Sequence, residues 1–245
     1  MAPWVLNGHT GPAPFTTATS GGMPMNVTAT THAGGVPGGH GVNEDLIIKD
    51  GFIVDPRVVD KRVAALEHGA MTRVDAIVLH QTDSSTMNLE HAKTDGIGAH
   101  FYIEKDGTIY QTARLDQSVY SVGKIRSRCD DSRTCSKEEK TAIDTLMNSS
   151  ASYGAKVKAL NTREQAKAYP DRYPTNGDSV AIEVVAKFDP KTKLFERPTA
   201  EQTESLKWLT QALGSHYGLD LQTDVYRHSD ISYKQADEAK SLVFQ

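Results

Sequence analysis

Two apolar segments constrain the fold of this chain more than any other feature. "AIVL" at residues 76–79 and "SVAIEVVAKF" at residues 179–188 are short, nearly continuous runs rich in β-formers. Such runs are typical of central strands whose two faces are both covered. With the helical patterns described below, they predict an α/β domain with a mixed central β-sheet flanked by helices.

Other elements are predicted from turn and capping residues. Asp50-Gly51 and Asp106-Gly107 indicate hairpins. Asp55-Pro56 favours the start of a helix that Gly69 would end. Four further segments complete the prediction: a helix from Thr86 to about Thr94, a helix after Ser136, a short helix over "NTREQAKAYP", and a helix over 199–218 with Leu206, Leu209, Leu213 and Tyr217 on one face.

Composition divides the chain into two parts. Residues 1–44 are rich in Gly, Pro, Thr and Ala. Such a segment buries too little apolar surface to offset its ordering entropy, so we expect it to be flexible. Residues 45–245 form the folded domain, and the change of pattern over about 124–177 predicts a helical insertion between strands of one sheet.

Charge and hydropathy narrow the function classes. Charged residues make up 24% of the chain and the net charge is -4, which does not favour binding to nucleic acid or to a membrane surface. No apolar run approaches the roughly 20 residues of a membrane-spanning helix, and residues 1–15 lack the pattern of a cleavable signal peptide. We therefore expect synthesis in the cytoplasm without such a signal. Cys129 and Cys135 lie six positions apart, and either a small-loop disulfide or two free thiols fits this spacing.

Three segments carry the residues that could perform chemistry. His80 closes one predicted strand, Glu183 lies inside a buried strand, and His228 ends "DVYRHSDIS". Two histidines and one carboxylate, with a fourth position open, are the ligands of a catalytic zinc site. Each residue also has an ordinary alternative: a strand-end histidine is often structural, and a buried glutamate often belongs to an ion pair.

Four blocks of sequence carry a family resemblance. "IVLHQT", "AHFYIEKDGTIYQ", "SVAIEVV" and "YRHSDIS" resemble, in that order, the zinc-dependent N-acetylmuramoyl-L-alanine amidases of the type 2 amidase family. That family shares its fold with peptidoglycan recognition proteins. The resemblance covers roughly residues 70–245, interrupted by the insertion.

The resemblance also implies roles for individual residues. His80, His228 and Asp237 would bind Zn²⁺, Glu183 would act as general base, and Lys234 would stabilise the oxyanion. The family often has Lys-x-Asp-Pro-Gly where this chain has Lys234-Gln-Ala-Asp237, so Asp230 is a rival for the third ligand. Two other histidines are open to interpretation: His91 is expected on a helix surface, and His100 faces either the cleft or a zinc ligand.

The activity implied is hydrolysis of the amide between the lactyl group of N-acetylmuramic acid and L-alanine in peptidoglycan. The alternatives are a non-catalytic peptidoglycan-binding module of the same fold, which would lack a third ligand, and a zinc hydrolase acting on another amide. The long Gly/Pro-rich head resembles that of antibacterial effectors delivered by type VI secretion. This setting implies a secreted toxin that acts in the periplasm of target bacteria and is restrained in the producer by an immunity protein.

Overall fold

A six-stranded mixed sheet forms the centre of the fold. The computed structural model describes residues 46–245, all within one compact unit. The strand order is β10-β4-β7-β5-β6-β3, and every neighbouring pair is parallel except β5 and β6, which form an antiparallel hairpin. This arrangement confirms the predicted α/β class.

The helices and strands are short apart from one long helix near the carboxyl end. The strands are β1 (Ile48–Lys49), β2 (Phe52–Ile53), β3 (Val58–Asp60), β4 (Ala76–Gln81), β5 (Phe101–Ile103), β6 (Ile109–Gln111), β7 (Ser179–Val184), β8 (Phe188–Asp189), β9 (Leu194–Phe195) and β10 (Val225–Arg227). The helices are α1 (Glu90–Asp95), α2 (Arg128–Ser132), α3 (Lys137–Met147), α4 (Tyr153–Gln165), α5 (Ala200–Tyr217) and α6 (His228–Ile231), with a 3₁₀ turn at Ala64–Leu66.

The two faces of the sheet are buried in different ways. Leu206, Leu209 and Leu213 of α5 pack on one face of the sheet. They contact the strand residues that alternate with His80 and Glu183. Helix α5 begins with the reciprocal capping box of Thr199 and Gln202. The other face is covered by smaller clusters around Val78 and Ala181, which leaves room for polar side chains at one end of the strands.

The helix predicted after Asp55-Pro56 does not form. Residues 58–60 are instead the edge strand β3, which pairs in parallel with β6, and only Ala64–Leu66 is helical. The N–H groups of Lys61 and Val63 continue this pairing by donating to the carbonyls of Gln111 and Thr112. Val58 and Val59 are β-branched and favour extended backbone. Pairing with a neighbouring strand therefore stabilises this segment more than helix formation would.

Two other helices begin at residues other than those predicted. Helix α1 starts at Glu90 and ends at Gly96, whose φ of 63° is the left-handed conformation expected of a terminating glycine. Helix α4 starts at Tyr153, well before "NTREQAKAYP", because Ser152 caps it. The two predicted hairpins form as β1–β2 and β5–β6.

Helices α2, α3 and α4 lie in the segment predicted as an insertion. A disulfide joins Cys129 and Cys135 at its start. The end of the segment is tied to β10: the Tyr169 hydroxyl donates to Asp224 at 2.7 Å, and the Tyr173 ring packs edge-on against Tyr226. The insertion is therefore attached to the sheet edge that also carries His228.

Two further predictions concern the amino-terminal segment and membrane-spanning helices. The flexible segment predicted for residues 1–44 lies outside the described residues. Within residues 46–245, no helix is long and apolar enough to cross a membrane.

Candidate active site

The strand register brings the predicted site residues to one level of the sheet. His80 of β4 pairs with Glu183 of β7, and Glu183 pairs in turn with Tyr102 of β5. On the other side of β4, Arg227 pairs with Leu79, so His228 follows at the level of His80. Paired residues on adjacent strands project to the same face. Side chains distant in sequence thus form one row across the sheet.

His80, His228 and Glu238 meet at the end of this row. The Nδ1 atoms of the two histidines are 2.9 Å apart. Oε1 of Glu238 lies 2.8 Å from Nδ1 of His228 and 3.4 Å from Nδ1 of His80. Both histidines are 2% exposed and Glu238 is 8% exposed, so three atoms that could bind a metal ion converge in a site largely shielded from water.

A hydrogen-bond partner assigns the proton of one of the two histidines, His228. Nε2 of His228 lies 2.9 Å from the carbonyl oxygen of Val122, which can only accept, so Nε2 carries the proton and Nδ1 presents a lone pair to the cluster. Nε2 of His80 is buried and has no hydrogen-bond partner among the described residues. Nδ1 of His228 and Oε1 of Glu238 are therefore two acceptors that face each other at 2.8 Å, which favours a cation between them.

The protonation states of the cluster suit a metal. Burial, reinforced by the nearby His228, lowers the pKa of His80 to about 4, so this ring is neutral at pH 7. Burial acts to raise the pKa of Glu238, but the contacts of its carboxylate with the His228 and His80 rings outweigh burial and lower the pKa to about 2. Neutral imidazoles and an ionised carboxylate are the forms that bind metal.

The spacing of the three atoms is also close to that of a metal site. Ligands about 2.0–2.2 Å from one tetrahedral zinc ion lie roughly 3.3–3.6 Å from one another, and these three atoms are separated by 2.9, 2.8 and 3.4 Å. Among residues 46–245, one other group of this kind occurs, Cys129, Cys135 and Glu139. Its two sulfurs are joined in a disulfide.

The third member of the cluster is Glu238, and not Asp237, which the resemblance implied as the third ligand. The Oδ2 atom of Asp237 accepts a hydrogen bond from the N–H of Phe195 at 2.9 Å, so its side chain is directed to β9. The rival Asp230 forms an ion pair with Lys240 on the surface. The adjacent pair Asp237-Glu238 was visible in the sequence, but only the direction of each side chain separates them.

The residues that follow the two histidines hold Glu238 in place. The Gln81 side-chain oxygen accepts from the N–H of Ala239 at 2.9 Å, and the Ser229 hydroxyl donates to the carbonyl of Glu238 at 2.7 Å. Gln81 follows His80 and Ser229 follows His228. The backbone that carries Glu238 is therefore fixed by the same two elements that carry the histidines.

Glu183 is the second carboxylate near the cluster. Its Oε2 atom is buried and has no hydrogen-bond partner within the described chain. Burial, followed by the negative charge of Glu238, raises the pKa of Glu183 to about 8, against a smaller lowering effect of Lys234. A carboxyl group with a pKa near neutrality can both accept and donate a proton at pH 7.

Lys234 lies beside the same cleft. Its side chain is exposed, and its Cε atom lies 4.0 Å from the position that a Cβ on Gly123 would occupy. The positive charge contributes to lowering the pKa of both His80 and Glu183. Lys234 therefore supplies positive charge beside the cluster.

His100 and His91, the two other histidines considered from the sequence, lie outside the cluster. His100 is fully buried: its Nε2 donates to the carbonyl of Gln117 at 2.9 Å, and its Nδ1 accepts from the N–H of Ala181 at 3.1 Å. It therefore joins β5 to β7 and does not face the cleft. His91 is on the exposed surface of α1, 3.8 Å from Asp95, as expected.

The family is established by sequence comparison. The family model described as N-acetylmuramoyl-L-alanine amidase matches residues 70–240, which include His80, Glu183, His228 and Glu238. The chain belongs to this family. Among curated proteins, none matches the chain.

Solved structures of amidases are similar to the chain at low identity. The N-acetylmuramoyl-L-alanine amidase LysC from Clostridium intestinale is 20% identical, with 74% of this chain and 87% of that chain covered and a TM-score of 0.40. A selenomethionine derivative of AmpD is 13% identical, with 81% and 100% covered and a TM-score of 0.45. AmpDh3 from Pseudomonas aeruginosa is 18% identical, with 65% and 52% covered and a TM-score of 0.43.

Proposed function

We propose that this protein is a zinc-dependent peptidoglycan amidase that hydrolyses the bond between N-acetylmuramic acid and L-alanine. One observation carries the proposal: His80 Nδ1, His228 Nδ1 and Glu238 Oε1 converge within 3.4 Å, in the segment that matches the amidase family. The same convergence argues against a binding module that lacks a third ligand, because Glu238 takes the place predicted for Asp237.

The three cluster atoms would hold the zinc ion and leave a position for water and substrate. A bound catalytic zinc ion lowers the pKa of its water to about 7 and polarises a carbonyl. Because the three ligands come from two strand ends and one anchored turn, they require little rearrangement when the ion binds. Rigid placement of this kind is what a catalytic site needs.

Glu183 and Lys234 would have different roles in the reaction: Glu183 would transfer a proton, and Lys234 would stabilise negative charge. Glu183 would take a proton from the attacking water at its buried carboxylate and pass it to the leaving amine of L-alanine. Lys234 would stabilise the negative charge that develops on the carbonyl oxygen. The net reaction adds water across the C–N bond and yields a lactyl carboxyl group and a free amine.

The test is mass spectrometry of purified peptidoglycan after incubation with the full chain. We expect stem peptides with a free L-alanine amine and glycan with a free lactyl carboxyl group. Treatment with a chelator should abolish both products, and added zinc should restore them. The exposed variant Glu138→Gln is a matched control for Glu183→Gln.

Two results would reject the assignment. Retention of the protein on peptidoglycan without any product, in zinc-loaded protein, would favour a binding module. Products cut at another amide would favour a zinc hydrolase of different specificity.

We also propose that the protein acts outside the cytoplasm, as an antibacterial toxin in the periplasm of target cells. The Cys129–Cys135 disulfide supports this setting, since disulfides persist mainly in oxidising compartments such as the periplasm. A producer of such a toxin would need a periplasmic immunity protein. Delivery by type VI secretion remains part of this proposal and rests on the resemblance of the Gly/Pro-rich head.

A further inference from the structure

Residues 121–125 lead into the insertion of α2, α3 and α4 and contact the candidate metal site. This segment carries the carbonyl of Val122, which accepts the Nε2–H of His228 at 2.9 Å. Val122 and Ile125 are both fully buried. The position of one metal ligand therefore depends on a segment that belongs to no helix or strand of the main sheet.

Asn176 holds this segment from the far end of the insertion. Its Oδ1 accepts two successive backbone N–H groups, from Ser121 at 3.1 Å and from Val122 at 2.9 Å. A buried N–H outside a sheet or helix needs such a partner. The hydrogen-bonded chain Asn176–Val122–His228 thus runs from the insertion to the cluster.

The turn that carries Asn176 is itself fixed. Asp178 accepts from the N–H of Thr175 at 2.6 Å and from Arg172 at 2.5 Å. Asp178 directly precedes β7, the strand that carries Glu183. The turn therefore links the strand of the proposed general base to the segment that orients His228.

A second asparagine holds the same segment three residues later. Oδ1 of Asn161, in α4, accepts from the N–H of Ile125 at 2.9 Å. Asn176 differs from Asn161 because it contacts the residue whose carbonyl fixes the histidine proton. Partners of this kind set the tautomer and orientation of a ligating imidazole.

We propose that Asn176 is a positioning residue for the metal site, and that the insertion serves to hold Val122 so that His228 presents Nδ1 to the metal. This inference rests on the metal site of the proposed function. It assigns a role to the insertion that the amidase activity alone does not explain. Asn176 acts through Val122 and touches neither metal nor substrate.

The test measures cobalt(II) binding to the metal-free full chain by its visible absorption, with no peptidoglycan present. We expect Asn176→Ala to weaken cobalt binding by about 10-fold, the low end of the range for outer partners of a ligand, and to alter the absorption band. Asn176→Asp keeps an oxygen acceptor and should bind within about twofold of the wild type. Asn148→Ala, at the exposed end of α3, is the matched control.

A second measurement determines directly which ring nitrogen of His228 carries the proton. In ¹⁵N spectra of the imidazole groups, His228 should carry its proton on Nε2 in the wild type and in Asn176→Asp, and should lose this single tautomer in Asn176→Ala. If Asn176→Ala does not fold, Asn176→Gln replaces it. This variant keeps the amide but displaces the acceptor by one methylene, and it should show the same changes to a lesser degree.

The inference is overturned if a folded Asn176→Ala or Asn176→Gln variant shows wild-type cobalt affinity, absorption band and His228 tautomer. A wild-type chain that binds no cobalt would overturn it together with the metal site. If the cobalt effects appear but peptidoglycan is not cleaved, the amidase proposal fails and the role of Asn176 stands.

Discussion

Glu183→Gln offers a test of the electrostatics of the site that requires no substrate. The pKa of Glu183 is raised from 4.5 to about 8, mainly by burial and then by Glu238. Between these pH values the folded, metal-free protein binds one more proton at this site than the unfolded chain. The free energy of unfolding therefore falls as pH rises through this window. Glutamine does not titrate, so the variant lacks this contribution.

The pKa shift of Glu183 determines how strongly the unfolding free energy should depend on pH. A pKa displaced from 4.5 to about 8 corresponds to a change of at most about 3.5 kcal/mol in unfolding free energy between pH 5 and pH 8. We expect Glu183→Gln to gain about 2–3.5 kcal/mol relative to the wild type when the pH is raised from 5 to 8. Any constant cost of burying the amide cancels in this comparison.

The assay is urea unfolding of chelator-treated, metal-free protein at pH 5 and pH 8, followed by tryptophan fluorescence and circular dichroism. Glu138→Gln, an exposed change of the same type, should show almost no dependence on pH. If the stability difference between Glu183→Gln and the wild type is the same at both pH values, Glu183 ionises freely. The reasoning about its buried carboxyl group would then be refuted.

Three further predictions follow from the contacts. Glu238→Ala should lose bound zinc while Asp237→Ala keeps it, as metal analysis of dialysed protein would show; the reverse result would return the ligand role to Asp237. His100→Leu should lower the unfolding free energy by about 2–4 kcal/mol, because it removes the side-chain partner of the buried Ala181 N–H and of the partly buried Gln117 carbonyl, and zinc affinity should hardly change; an unaltered denaturation midpoint would contradict this. Expression with a periplasmic signal should lyse a Gram-negative host that tolerates cytoplasmic expression, and Glu183→Gln should prevent lysis; equal growth with folded enzyme in the periplasm would reject the toxin setting.

The central strands could be predicted from the sequence because their signals are local. Apolar β-branched runs cannot be exposed on either face without loss of hydrophobic burial, so 76–79 and 179–186 had to lie inside a covered sheet. The strand signal at Val58 and Val59 was weaker than the Asp-Pro start signal beside it. Pairing with β6 decided that segment, and a partner strand 51 residues along the chain is not visible in a local pattern.

Residue types and order were enough to single out His80, Glu183 and His228, because histidines at strand ends and a carboxylate inside a buried strand are chemically distinctive. The role of Lys234 was implied by the family resemblance. The choice between Asp237 and Glu238 was different. Both are carboxylates one residue apart, and their directions depend on a turn fixed by Gln81 and Ser229.

Asn176 was not predictable for a similar reason: its importance comes from two backbone N–H groups more than 50 residues away. The sequence by itself determined which strands are buried and which chemical groups are available to the site. Tertiary structure alone decided which carboxylate faces the histidines and which amide orients His228, because both depend on hydrogen bonds between side chains and distant backbone groups that sequence patterns do not place.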